Sequence, residues 1–219
     1  MNNNCSNRKG EVDKIGKNMK KLKKINKGLV LTIIVLIILI IYLAGVEKQR
    51  KADRADIKVA CENFLNITDK YSVLPEEIRT LTGEELENKK QEYIKELHNE
   101  LEKVMIENED AIKIQQDFAI ANLNSGYQDG ETRIKFEHTN IEMSSFTFDG
   151  DQVTVSINGQ IETASNYMND NNEIKEKQNS MPIAMEEITL QKVNGKWKVV
   201  YANLIYYSEN SYQNSINMY

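Results

Sequence analysis

The sequence predicts an α+β protein with an N-terminal transmembrane helix, and three observations carry that prediction. Residues Gly28 to Val46 run without a charge between Lys27 and Glu47; apolar residues then recur at helical spacing as far as about residue 124; and from Glu131 the apolar period falls to two. The layout is a basic tail over 1–27, a transmembrane helix over 28–46, a folded domain over 47–207 with helices in 47–124 and a sheet in 131–207, and a flexible tail over 208–219.

The span GLVLTIIVLIILIIYLAGV reaches about 28 Å as a helix, close to the ~30 Å hydrocarbon core of a bilayer. Only a helix satisfies its own backbone there. Gly28, Leu29, Ile33, Ile37, Ile41 and Val46 mark the length of this anchor. A cleaved secretory signal is the competing reading. The 27-residue leader, an apolar run longer than the usual ~7–15 residues and the lack of a small-x-small site after it all argue for an uncleaved anchor. Leu43-Ala44-Gly45 begins a lipoprotein-type box, but Val46 stands where that box needs cysteine.

Charge gives the orientation. Nine basic against two acidic side chains precede the span, a net of +7, whereas the remainder of the chain carries 19 basic and 31 acidic ones, a net of −12. Basic flanks stay on the cytoplasmic side, so the N-terminus is expected inside and the domain outside a cell membrane. Lys48, Arg50, Lys51, Arg54 and Lys58 follow the span closely and temper the asymmetry. The lysines of the tail are accounted for by retention and by contact with the lipid bilayer. No aromatic residues are interleaved for base stacking, so no nucleic-acid partner is expected. Cys5 and Cys61 fall on opposite sides of the membrane and cannot pair; Cys61 reads as a small buried hydrophobe. The abundance of Asn, Lys and Ile points to an AT-rich bacterial genome.

Beyond the span, Ile57, Ala60, Phe64, Ile67, Tyr71 and Leu74 form one helical stripe that Pro75 terminates. Thr82-Gly83-Glu84-Glu85 announces a second helix through a capping box, and its apolar side includes Leu86, Tyr93, Ile94, Leu97, Leu101, Val104 and Met105. Ala111 to Leu123 has a mixed period and is read as a third helix rather than a strand. Packing of these helices on the domain's own sheet is preferred over a coiled-coil stalk, because each stripe lasts only about three heptads.

Ile134, Phe136 and His138 alternate with charged residues in the first strand. A Gly150-Asp151 turn sets Phe148 opposite Val153, Thr147 opposite Thr154 and Phe146 opposite Val155, so that apolar meets apolar. Asn194-Gly195 makes the last hairpin, with Leu190 across from Val199, Ile188 across from Tyr201, and Trp197 near the turn. Between the hairpins, Met168 to Ser180 lacks periodicity and reads as a mobile loop. The expected core is therefore Ile57, Phe64, Ile67, Tyr71, Leu97, Leu101, Phe146, Phe148, Val153, Val155, Ile188, Leu190, Trp197, Val199 and Tyr201.

Helices followed by an antiparallel sheet that closes with NGKWKVVYANLIYY resemble the nuclear transport factor 2-like superfamily over roughly residues 55–207. That resemblance implies a cone-like domain, two to three helices packed into a curved sheet. Basic tail, single span and outer domain together resemble the bitopic scaffold proteins of conjugative type IV secretion systems, which catalyse nothing.

Chemistry-bearing patterns are sparse. His98 lies on a helix beside Glu and Lys and reads as solvated, whereas His138 points inward and reads as a satisfied core or rim histidine. No Cys/His cluster with metal spacing, phosphate-binding glycine loop or nucleophile elbow occurs, and the runs Glu84 to Glu87 and Glu107 to Asp110 lack the pattern of a calcium loop. The enzymes of the resembled superfamily place Asp, Tyr or His inside the cone; Tyr167 and Tyr201 are the nearest candidates here, and core packing is the preferred reading of both. The sequence thus leads to a non-enzymatic membrane protein, without catalytic residues, cofactor or metal, that binds other membrane or envelope proteins or itself. A small-ligand or isomerase/dehydratase-like pocket, and an envelope sensor, are the alternatives.

Overall fold

The computed structural model describes residues 27–128 and 130–204. The basic tail over 1–26, the expected end of the last hairpin at Tyr207 and the tail from Ser208, expected to be flexible, lie outside the described residues. Two units divide at Ala52/Asp53. In the first, α1 (Lys27–Tyr71) begins with the apolar segment, exposed from Gly28 to Gly45 and long and apolar enough to cross a membrane. Its distal part belongs to the second unit, with α2 (Glu76–Arg79), α3 (Gly83–Val104), α4 (Glu109–Ser125) and strands β1 (Glu131–Asp149), β2 (Gln152–Met168), β3 (Ile174–Val193) and β4 (Lys196–Asn203). The second unit is thus α+β, and its sheet is an antiparallel meander in the order β1-β2-β3-β4.

Helix boundaries follow local chemistry. α1 stops at Tyr71, before Pro75, and Pro75 itself opens the one-turn α2, which the sequence did not suggest. Thr82 sits at the N-cap of α3 but makes no side-chain capping bond; the expected capping box does not form. Asn108 does cap α4, accepting from the Ala111 N–H at 3.1 Å. The mixed-period segment is a helix because Ile112, Ala119 and Leu123 all face inward, while Ile114 and Phe118 face out.

The helices pack on the domain's own sheet. Ile57, Phe64 and Tyr71 of α1, Leu97 and Leu101 of α3, and Ile112 and Leu123 of α4 share one core with Val153, Val155, Ile188, Leu190, Trp197 and Val199. Ile67, Phe146 and Phe148 are half-buried against it. Phe148 meets the Trp197 ring edge-on at 6.5 Å between centroids, and the Arg54 guanidinium covers Phe146 at 5.4 Å. Asp53, buried at the root of this packing, is held by Lys192 at 2.7 Å.

The first hairpin pairs Phe148 with Val153, Thr147 with Thr154 and Phe146 with Val155 around Gly150-Asp151, with Gly150 at φ 60°. In the last hairpin Asn194 and Gly195 both adopt positive φ, as a tight two-residue turn between twisted strands requires, and Leu190 faces Val199. Here one expectation fails. A register shift after Val199 leaves Val200 unpaired, so Thr189 faces Tyr201 and Ile188 faces Ala202. Tyr201 is turned out to 45 % exposure and is not a core residue. Ala202 takes the inward position beneath α4, where its carbonyl accepts from Gln115 at 3.0 Å.

A second correction concerns Met168 to Ser180, which is not a loop. β2 and β3 pair continuously from Gln160–Pro182 to Met168–Ile174, closed by a turn in which the Asn169 side chain accepts from the N–H groups of Asn171 and Glu173. Backbone pairing and this turn hold a segment that the apolar pattern alone does not mark, since both of its faces are polar. β4 pairs only with Glu187–Val193 of β3, so the outer edge of Ile174–Glu186 has no neighbouring strand among the described residues. Pro182, which lacks an N–H, stands on that edge.

The sheet bends along one line. β1 carries one extra residue between Thr139 and Glu142, and β3 carries one between Ile183 and Glu186; both bulges flank Asn158-Gly159 of β2. A Cβ on Gly159 would lie 2.9 Å from the Thr139 carbonyl oxygen and 2.8 Å from Ile141 Cδ1. Ile141 Cδ1 is the far end of a flexible side chain, whereas the carbonyl oxygen is fixed in the backbone. Gly159→Ala is accordingly expected to destabilise the domain by about 1–3 kcal/mol, read as a lowered melting midpoint in circular dichroism. Beyond the bend, Phe136, Ile161 and Ile183 form a separate small core.

Candidate functional site

The bend brings together three titratable side chains from distant parts of the chain: Asp69 near the end of α1, His138 on β1 and Glu186 on β3. Asp69 holds His138 twice, accepting from its backbone N–H at 2.9 Å and hydrogen-bonding its ring Nδ1. On the other side of the ring, Nε2 lies 3.7 Å from Glu186 Oε2. The His138 and Glu186 side chains are each only 1 % exposed, and Asp69 is 13 % exposed.

Burial alone pulls the imidazole pKa down, because desolvation penalises the charged form. The Asp69 hydrogen bond and the carboxylate charges of Asp69 and Glu186 outweigh that, and the pKa is raised to about 9. His138 is therefore an imidazolium at neutral pH, clamped between two acids. The Glu186 side of the ring is less well served: among the described residues neither Glu186 oxygen nor His138 Nε2 has a hydrogen-bond partner, and the two groups meet as charges only.

A polar knot beside this triad fixes the end of α1. Tyr127 Oη accepts from the Leu74 N–H at 2.8 Å and donates to the Arg133 carbonyl at 3.1 Å. Arg133 Nη1 reaches the Asn122 carbonyl at 2.8 Å, and Asn122 donates to Ser72 Oγ at 2.6 Å. Tyr93 donates to the Lys70 carbonyl at 2.7 Å, and burial pushes its phenol pKa up. Helix end, β1 and α4 are joined by groups that satisfy one another.

The second assembly is at the surface. His98 of α3 faces Glu102, one turn on, and Glu109 in the first turn of α4, with Nε2 3.7 and 3.8 Å from their Oε1 atoms. Its Nδ1 meets Gln116 Oε1 at 3.0 Å. The Cys61 thiol carries no such chemistry: it is buried, and desolvation raises its pKa to about 12.

Comparison with known proteins adds little to this geometry. No family model matches the chain, and no curated protein does. Among solved structures, the crystal structure of the intermembrane space region of chloroplast protein ARC6 aligns over 72 % of this chain and 96 % of its own, with 11 % sequence identity and a TM-score of 0.39. A likeness of that extent assigns neither fold family nor activity.

The two tyrosines considered for a cone interior are both surface residues, Tyr167 at 36 % and Tyr201 at 45 % exposure. A half-open groove of about 510 Å³ lies instead on the polar part of the sheet, between Ile134, Lys135 and Glu162 on one side and Gln178 to Ser180 on the other. None of the triad lines it. His138 is inward, in a charged rather than an apolar setting, and its two acids were not singled out from the sequence. Glu186 did leave a trace there: it shares a strand face with Ile188 and Leu190, both fully buried, so alternation alone puts a carboxylate on the inner side. Asp69 left none, because the helix stripe passes beside it.

Proposed function

We propose that this chain is a single-pass membrane protein, N-terminus inside, whose extracytoplasmic domain works by binding partner proteins and not by catalysis. The observation that carries the reading is the Gly28–Val46 segment, an uncharged apolar helix exposed along almost its whole length, followed by a separately packed α+β unit. Its buried His138 and Glu186 are closed off from solvent and lie apart from the groove, which fits a triad that braces the fold rather than one that meets substrate.

The partner surface proposed is the far end of the three-stranded part of the sheet, where the β2–β3 turn projects past the start of β1. Met168 and Ile174, paired across its tip, are 62 % and 71 % exposed, an apolar spot at the end of a polar ribbon. The helical stripe of α1 is not available for this role, since Ile57, Phe64 and Tyr71 are in the core. The layout of tail, span and domain supports a scaffold of a conjugation-type secretion apparatus as the finer reading, and the Gly195-Lys196-Trp197-Lys198-Val199 hairpin supports the nuclear transport factor 2-like relationship.

Sidedness is the decisive test. In a Cys5→Ser background, an Asp170→Cys variant should react with a membrane-impermeant maleimide on intact cells, whereas Cys5 of the unaltered chain should react only after lysis. The reverse pattern would place the domain in the cytoplasm and remove the case for envelope partners.

A further inference from the structure

We propose that His98, Glu102 and Glu109 form a binding site for a first-row divalent metal ion, with zinc the best fit, that ties the end of α3 to the start of α4. His98 and Glu102 stand four residues apart on one face of α3, and Glu109 comes from the first turn of the next helix. One donor atom from each, His98 Nε2 and a carboxylate oxygen from each glutamate, lies within 4.8 Å of the other two.

The neighbours of the ring decide which nitrogen faces the acids. The Gln116 side chain donates from Nε2 to the Ile94 carbonyl at 3.4 Å, which turns its Oε1 toward His98. Oε1 only accepts, so this hydrogen bond takes its hydrogen from Nδ1 and leaves Nε2 as the ring atom directed at Glu102 and Glu109. An outer acceptor on one nitrogen and a free lone pair on the other is the arrangement metal-binding histidines use.

Spacing points the same way. At 3.7 and 3.8 Å the glutamate oxygens are beyond hydrogen-bonding distance of Nε2. A zinc ion with ligands at about 2.0–2.1 Å in a tetrahedron holds them about 3.3 Å apart. Each carboxylate needs to close on the ring by roughly half an ångström, and the two, within 4.8 Å of each other, by up to about 1.5 Å; both are exposed, Glu102 at 52 % and Glu109 at 72 %. One imidazole with two carboxylates suits zinc, whereas calcium and magnesium prefer oxygen alone. Three protein ligands leave a fourth position for water or for a side chain of another protein.

The test uses the full-length chain, purified in detergent, stripped with chelator and titrated with zinc chloride at pH 7.5. One zinc per chain should bind, with a dissociation constant in the micromolar range or tighter, and the melting midpoint should rise with zinc concentration. Glu109→Gln should weaken binding at least tenfold, and His98→Gln should abolish it while the metal-free melt stays close to that of the unaltered chain. Gln116→Leu, which touches no metal, should weaken binding by about ten- to a hundredfold by freeing the ring. If 100 μM zinc does not bind, or if it binds equally well to the His98→Gln and Glu109→Gln chains, the site does not exist. Should His98→Gln fail to fold, the exposed Glu109→Gln change alone decides.

Discussion

His138→Ala should lower the stability of the domain by about 3–5 kcal/mol, because it leaves the buried Glu186 and the half-buried Asp69 without the cation that lies between them. For a domain of this size the melting midpoint should fall by roughly 10 °C or more, measured by circular dichroism at pH 6. Glu186→Gln should behave differently. Asp69 still holds the ring in that chain, so the loss should be smaller, about 1–3 kcal/mol, and the pH at which the His138 contribution fades should move down. A harmless His138→Ala change would mean that the triad holds nothing together.

The same triad makes stability depend on pH, with a definite sign. The folded-state pKa of His138, about 9, lies above the ordinary value of 6.5, so the folded form binds the proton more tightly than the unfolded chain does. Its contribution is fully present below pH 6.5 and is lost as pH climbs through about 9. The amount at stake is on the order of 3 kcal/mol. Urea melts at intervals from pH 6 to pH 10 should show this decline, and the His138→Ala chain should lack it. A profile that instead rises over that interval would contradict the proposed charge state.

Ile37→Lys combined with Ile41→Lys should release the protein from membranes. Both positions lie well inside the span, one turn apart, and a lysine near the centre of a membrane helix costs about 2.5–3.5 kcal/mol. Two such penalties on one helical face should move the chain from the carbonate-resistant pellet to the supernatant. The domain, packed as its own unit from Asp53 onward, should keep its native circular dichroism. Retention of the double variant in the pellet would show that Gly28–Val46 is not what holds the chain to the bilayer.

Local signals in this chain are dependable where they are strong and periodic. Both two-residue turns, the Phe146–Val155 register and the burial of Leu97 and Leu101 follow from spacing alone, because turn chemistry and side-chain alternation act over a few residues. The two differences have separate causes. Counting in twos puts Tyr201 inside, but a single unpaired residue, Val200, reverses the faces beyond it. Met168 to Ser180 lacks apolar alternation and so looks like a loop, yet strand pairing runs through it on backbone hydrogen bonds, to which the hydrophobic pattern is blind.

What the sequence determined by itself was an apolar helix of membrane length, the order of helices before strands, and the hairpin registers nearest the turns. Tertiary structure alone decided the two clusters. Asp69, His138 and Glu186 are separated by 69 and 48 positions, and Glu109 joins His98 only because the chain reverses between α3 and α4. Periodicity reports which face of an element avoids water; it does not report which faces meet. Charged groups become a site only when bulges and helix ends bring them within a few ångströms, where a shared proton or ion is worth more than solvation by water.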